Sequence, residues 1–210
     1  MTEARDRKPE QNRDLDRIVF FSDAVFAIAI TLLVLQIEVP DIPEELVVEE
    51  LGASLLALWP KYLGYVISFL SIAVFWNIHH RIFREIRGYD GTLILLNFLF
   101  LMFVAFLPFP TALLGEYGDY QLPVAIYAGT LAMGRLLLTA IYWYATSGNR
   151  LVSGTTDPTV VRFFLVRGLT IPLIFLLSIV VSFFSVRAAV GSWFLLMAVD
   201  AVVLRRRRSH

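Results

Sequence analysis

The sequence predicts an all-α membrane protein with six transmembrane helices per subunit. Three observations carry this. The chain is 58% hydrophobic, with a mean hydropathy of +0.70; soluble domains are nearer ~45–50% apolar. The apolar residues fall into long runs, and a bilayer-spanning helix needs ~20 of them at ~1.5 Å rise each. Polar turn residues and basic clusters separate the runs.

The first span, from Arg17 to Val39, organises the rest. It opens with an ionisable cluster of Arg17, Ser22 and Asp23. Charge at membrane depth faces protein or water rather than lipid. At about 100° per residue, Ala24, Ile28, Thr31 and Leu35 share a narrow stripe, and Ser22 and Asp23 point well away from it. The stripe reads as a pore wall. The carboxylate side reads as a bolt to a neighbouring helix.

Residues 1–16 form a cytosolic arm, too polar to offset the entropy of ordering and expected to be flexible or frayed. They do not fit a cleavable signal, so the first helix is expected to stay in the mature protein. Pro40 ends the first span. Residues 41–58 are acidic with Leu and Val at helical spacing, and either lie at the interface or extend the next helix outward. The second span runs from Trp59 to Phe83, with Pro60 in its first turn, and leads into WNIHHRIFREIR. The third covers Gly91 to Leu114, weakened by Pro108 and Pro110, and is followed by a turn holding Gly115, Glu116, Gly118 and Asp119. The fourth covers Leu122 to Ala145, and residues 147–158 form a loop. The fifth covers Thr159 to Phe184 with a kink at Pro172. The sixth covers Ala188 to Leu204, so the six-helix transmembrane domain is 17–204, and a basic tail, 205–210, closes the chain.

Basic residues set the orientation. Arg5, Arg7, Lys8 and Arg13, then Arg81, Arg84 and Arg87, then Arg150 and Arg162, then Arg205 to Arg208 all fall on one side. The other side has only Lys61 and Arg187 near the membrane. The positive-inside rule puts both termini in the cytosol. The outward surface then carries Glu38, Asp41, Glu44, Glu45, Glu49, Glu50, Glu116 and Asp119, either a mouth that concentrates cations or simply the acids left outside when bases are retained inside.

Net charge is zero, so no nucleic-acid partner is implied. There is no cysteine, which removes disulfides, thiolate nucleophiles and Cys-based zinc sites. Walker loops, GxSxG elbows and HExxH pairs are missing, so the sequence does not read as an enzyme and no cofactor is expected. GEYG at 115–118 reads as a turn rather than as the glycine-rich filter of tetrameric potassium channels. His79 and His80 are adjacent, so their rings diverge by about 100° and do not clamp a metal as an i, i+4 pair would. Instead, Asp–His or Ser–Asn contacts between Ser22, Asp23 and the Trp76–His80 segment would satisfy polar groups that lipid cannot. A histidine beside a carboxylate would also let gating respond to pH. Arg135, Arg167 and Asp200 lie within spans four, five and six, and compatible depths predict an Arg167–Asp200 ion pair.

Two motifs point to a known family. Arg17-Ile-Val-Phe-Phe21-Ser22-Asp23, followed by AVFAIAITLLVL, resembles the R-x-x-x-F-S-D signature of the transmembrane protein 175 family of potassium channels. Trp76 to His80 resembles that family's second-span element. The resemblance covers essentially the whole chain and matches the single-repeat, six-helix prokaryotic members. It implies a homotetramer in the plasma membrane, with the first helix of each subunit lining a central pore. It implies Ile28 as a hydrophobic constriction, Thr31 as a hydroxyl layer that potassium passes, and Leu35 as a further apolar ring. Arg17, Phe21, Ser22 and Asp23 would lock the first helix to its neighbours with Trp76, Asn77 and His79 or His80. A ring of isoleucines blocks hydrated ions until the helices move, so modest preference for potassium over sodium, with some proton permeation, is the expected behaviour. The rival classes are a secondary transporter, for which no repeat between 1–105 and 106–210 is evident, and a non-conducting membrane scaffold using the stripe as a packing seam.

Overall fold

The computed structural model describes residues 3–152 and 157–193. Helix α1 is Glu3–Leu32, α2 Val47–Ala57, α3 Trp59–Glu85, α4 Gly91–Phe106, α5 Pro108–Tyr117, α6 Gln121–Thr146 and α7 Pro158–Ser182. Five stretches among the described residues are long and apolar enough to cross a membrane: Arg13–Gln36, Trp59–Glu85, Gly91–Tyr117, Gln121–Asn149 and Pro158–Ser182. The chain is a multi-pass membrane protein. Residues 186–193 are helical, and the rest of the expected sixth span and the basic tail lie outside the described residues.

Four boundaries differ from the sequence expectation: the first span leaves the α-helix at Leu32 and closes in a 3-10 turn over Val34–Gln36, short of Pro40, and three others differ for local reasons. The arm expected to fray is helical from Glu3 and continuous with the first span. Its Glu, Ala, Arg, Lys and Gln residues have high intrinsic helix propensity, and the growing helix gives them a template. The acidic 41–58 segment is neither a flat interfacial strip nor a simple extension of the second span. It folds as the separate helix α2, with no buried residue, and breaks at Leu58 before Trp59-Pro60 starts α3. The third span divides at Leu107, because Pro108 has no N–H to give the ladder. The amide of Leu107 falls back to Val104 O at 3.2 Å, and α5 then runs through Gly115 and Glu116. The expected turn is therefore confined to residues 118–120.

α6 is the centre of the subunit. Tyr127, Ala128, Leu131, Leu138, Ile141, Tyr142 and Ala145 are all buried. α7 lies along it at a close approach set by Gly168. A Cβ there would sit 2.7 Å from Thr139 Cγ2 and closer still to Thr139 Oγ1. Small residues at such crossings let helix backbones meet where lipid gives no hydrophobic drive to association. The Thr139 hydroxyl uses the approach, lying 2.9 Å from Arg135 O and 3.2 Å from Gly168 O. Gly168→Ala is therefore expected to lower stability by about 1–3 kcal/mol, the usual cost of overpacking, read as a fall in the melting temperature of detergent-solubilised protein.

A belt at the α3–α4 end holds the helices in register. Arg87 N donates to Leu151 O at 2.7 Å, and Ile86 and Val152 form an antiparallel bridge. The loop reaches them through Gly148 and Asn149, both left-handed. Asp90 caps α4 by accepting from Leu93 N at 2.9 Å and from Tyr144 Oη at 2.6 Å. The Tyr144 hydroxyl, and then the Leu93 amide, hold the Asp90 carboxyl below the usual carboxylate range. The lowered pKa adds stability that is complete above the ordinary Asp range and is lost as pH falls through the depressed value. Tyr144→Phe is expected to move that loss to higher pH, measured as the acid limb of a melting-temperature profile.

Candidate functional site

α1 has two opposed faces. Leu15, Ser22, Phe26, Ala29 and Leu33 are buried against the rest of the subunit, Ser22 and Leu33 completely. Ala24, Ile28, Thr31 and Leu35 form the other face, with Ile28 59% and Leu35 68% exposed. The sequence-derived stripe is thus the face that the subunit itself leaves uncovered. Leu35 continues it through a 3-10 turn, Val34–Gln36. The Thr31 hydroxyl lies 2.9 Å from Ile28 O and 3.0 Å from Ala27 O. Its proton is spent on the helix backbone, so the oxygen lone pairs are what it can offer outward.

The buried face is anchored by a hydrogen-bonded chain across three helices. Ser22 Oγ donates to Ile18 O at 2.8 Å, Asn97 Nδ2 donates to Ser22 Oγ at 3.0 Å, and His79 Nε2 donates to Asn97 Oδ1 at 2.9 Å. The amide orientation fixes the His79 tautomer, because Oδ1 can only accept. His79 is fully buried, with its ring stacked on Phe83 at 4.2 Å and edge-on to Phe26.

A second anchor lies one residue further along. Trp76 Nε1 donates to Asp23 Oδ1 at 2.9 Å, and the His80 ring stacks on the indole at 5.5 Å. Phe21 meets Phe98 edge-on at 5.6 Å. The two histidines thus diverge, His79 into the core and His80 onto the outer side of Trp76.

The expected set is brought together in part. Ser22, Asp23, Trp76, His79 and His80 converge between α1 and α3, and Phe21 packs on α4. The anticipated Asp–His contact is replaced by Asp23–Trp76. The Ser–Asn contact forms with Asn97 rather than Asn77, which is exposed on the outer side of α3. Arg17 is also exposed, 3.9 Å from Asp14, rather than bound to another helix of the subunit. Asn97 was the missed residue; a lone amide inside LILLNFLFLMF was its signal, since lipid would leave it unsatisfied. Arg135 is buried with its guanidinium 5.4 Å from the Phe164 ring centroid. Asp200 lies outside the described residues, and the expected pair with Arg167 therefore does too.

This geometry has known counterparts. The family model for the endosomal/lysosomal potassium channel TMEM175 matches residues 17–108, which include the α1 stripe and both anchors. A potassium channel from Chamaesiphon minutus is 40% identical over 193 residues, covering 90% of this chain and 93% of that protein. The chain belongs to the TMEM175 family. The crystal structure of a lysosomal potassium-selective channel TMEM175 homolog from Chamaesiphon minutus matches with a TM-score of 0.78 at 37% identity, covering 90% of this chain and 97% of that one. The human endosomal/lysosomal proton channel TMEM175 is 39% identical over 98 residues, which are 44% of this chain and 19% of that protein. TMEM175 proteins are ion channels, so membership places the chain among channels and not enzymes.

Proposed function

We propose that this TMEM175 protein is one subunit of a homotetrameric cation channel that prefers potassium over sodium and sits in the plasma membrane with both termini cytosolic. The observation that carries the proposal is the uncovered Ala24–Ile28–Thr31–Leu35 face on a helix whose opposite side is bolted down. Four copies facing a common axis turn that stripe into successive rings. Ile28 forms a dry constriction, Thr31 a ring of hydroxyl oxygens, and Leu35 an outer apolar ring. The permeant ion is potassium in transit past Thr31, with protons as a second permeant, and no cofactor takes part.

Selectivity in such a pore comes from partial dehydration in a narrow ring rather than from a carbonyl cage, so discrimination is modest. The Thr31 oxygens offset part of the lost hydration, because their lone pairs face the axis while their protons stay on the helix. The acidic residues Glu38, Asp41, Glu44, Glu45, Glu49 and Glu50 are all exposed beyond the outer end of the stripe, and would raise the local cation concentration.

Purified protein in liposomes with a potassium gradient tests the reading. Potassium should flow without a coupled solute; a transporter would saturate at low flux, and a scaffold would pass nothing. Thr31→Val, nearly isosteric but without the hydroxyl, should move the reversal potential under potassium/sodium gradients toward equal permeability. An unmoved potential removes Thr31 from the selectivity layer.

A further inference from the structure

A cavity of about 420 Å³ opens between the N-terminal half of α1, around Leu15–Val19, and the C-terminal end of α3. Its floor is apolar and buried, made by Leu15, Phe83 and Ile86. Its rim is basic: His80 and Arg84 one turn apart on α3, then Arg87 just past its end, against the single carboxylate of Asp16. None of these rim groups belongs to the α1 stripe, and His79 of the buried anchor lies behind the floor, stacked on Phe83 at 4.2 Å. The cavity sits where two membrane-crossing stretches, Arg13–Gln36 and Trp59–Glu85, leave the apolar layer.

We propose that this cavity binds the phosphate group of an anionic phospholipid of the cytosolic leaflet. The match is one of chemistry and depth together. A phosphodiester carries the charge that Arg84 and Arg87 complement, and arginine presents several donors to its oxygens in a planar fork. The apolar floor accepts the glycerol and the start of an acyl chain, which a free anion does not supply. A basic site at the headgroup level of that leaflet meets the negative surface potential there. The cavity is also joined to the pore helix. His80 on its rim stacks on Trp76, and Trp76 donates to Asp23 of α1. A bound headgroup therefore braces the foot of α1 against α3. The leaflet assignment rests on the orientation proposed above; the binding itself does not.

Native mass spectrometry of the full-length protein, released from detergent with equal phosphatidylglycerol and phosphatidylcholine, tests this. The wild type should retain phosphatidylglycerol preferentially. The double variant Arg84→Gln with Arg87→Gln should retain roughly tenfold less or lower still. Arg84→Lys with Arg87→Lys keeps the charge without the fork and should retain an amount between the wild type and the double Gln variant, which separates site loss from misfolding. Arg81→Gln, on α3 but off the cavity, should retain as much as the wild type. Equal retention by all proteins overturns the site, and so does an equal loss in Arg81→Gln. Displacement of the lipid by inorganic phosphate overturns the lipid assignment in favour of a soluble anion. Potassium flux is not read in this experiment. A protein that binds the lipid but passes no potassium refutes the channel reading alone, and accessible termini outside sealed cells refute the leaflet alone.

Discussion

Ile28→Asn is expected to raise potassium flux through the reconstituted protein by roughly tenfold or more, since a barrier lowered by only ~1.4 kcal/mol gives that factor. Ile28 is a β-branched apolar side chain on the uncovered α1 face, and the ring it forms in the proposed tetramer excludes water. A dry ring conducts only when it wets, and asparagine supplies a donor and acceptors that hold water in the closed geometry. Ile28→Leu keeps the ring apolar and should leave flux close to that of the wild type. Because Ile28 touches the lipid-soluble core of the subunit so little, neither change should disturb folding. Unchanged flux in Ile28→Asn moves the constriction elsewhere.

Asn97→Leu should cost about 2 kcal/mol, as the buried His79 Nε2 loses its partner, a loss worth ~1–3 kcal/mol when a group is left unsatisfied. The shape of the site is nearly kept, so the loss falls on the fully buried His79 Nε2, while Ser22 Oγ gives up one incoming bond and keeps its own to Ile18 O. Asn77→Leu, on the exposed side of the neighbouring helix, should move stability by no more than ~0.5 kcal/mol. Paired melting curves in detergent measure both. Similar losses in the two variants would mean that the buried chain through Asn97 does not hold α1 in place.

The five described spans were legible because lipid leaves the backbone few choices. A run such as AVFAIAITLLVL must be helical to satisfy its own amides, so the spans follow from hydropathy alone. The stripe was legible for the same reason: one helical period decides which residues share a face, and Ile28, Thr31 and Leu35 do. The anchor was legible only on α1 and α3. Whether Ser22 meets Asn77 or Asn97 depends on how α3 and α4 are rotated, and rotation is set by packing such as His79 and Phe75 against Phe100. The split of the third span at Leu107 followed from Pro108, yet proline alone does not distinguish a kink from a break. The helical leader before Arg17 was obscured by its own charge, which hydropathy reads as solvent-loving and propensity reads as helix.

The uncovered α1 face can be probed directly, because the chain has no cysteine of its own. Single variants Ala24→Cys, Ile28→Cys, Thr31→Cys and Leu35→Cys, with Phe26→Cys and Ala29→Cys on the buried side, would be recorded in planar bilayers before and after a charged thiol reagent. Four identical inward-facing segments predict current block at positions 24, 28, 31 and 35 and none at 26 and 29. Block on the buried side, or none at Thr31 and Leu35, would show that ions take a path which this face does not line.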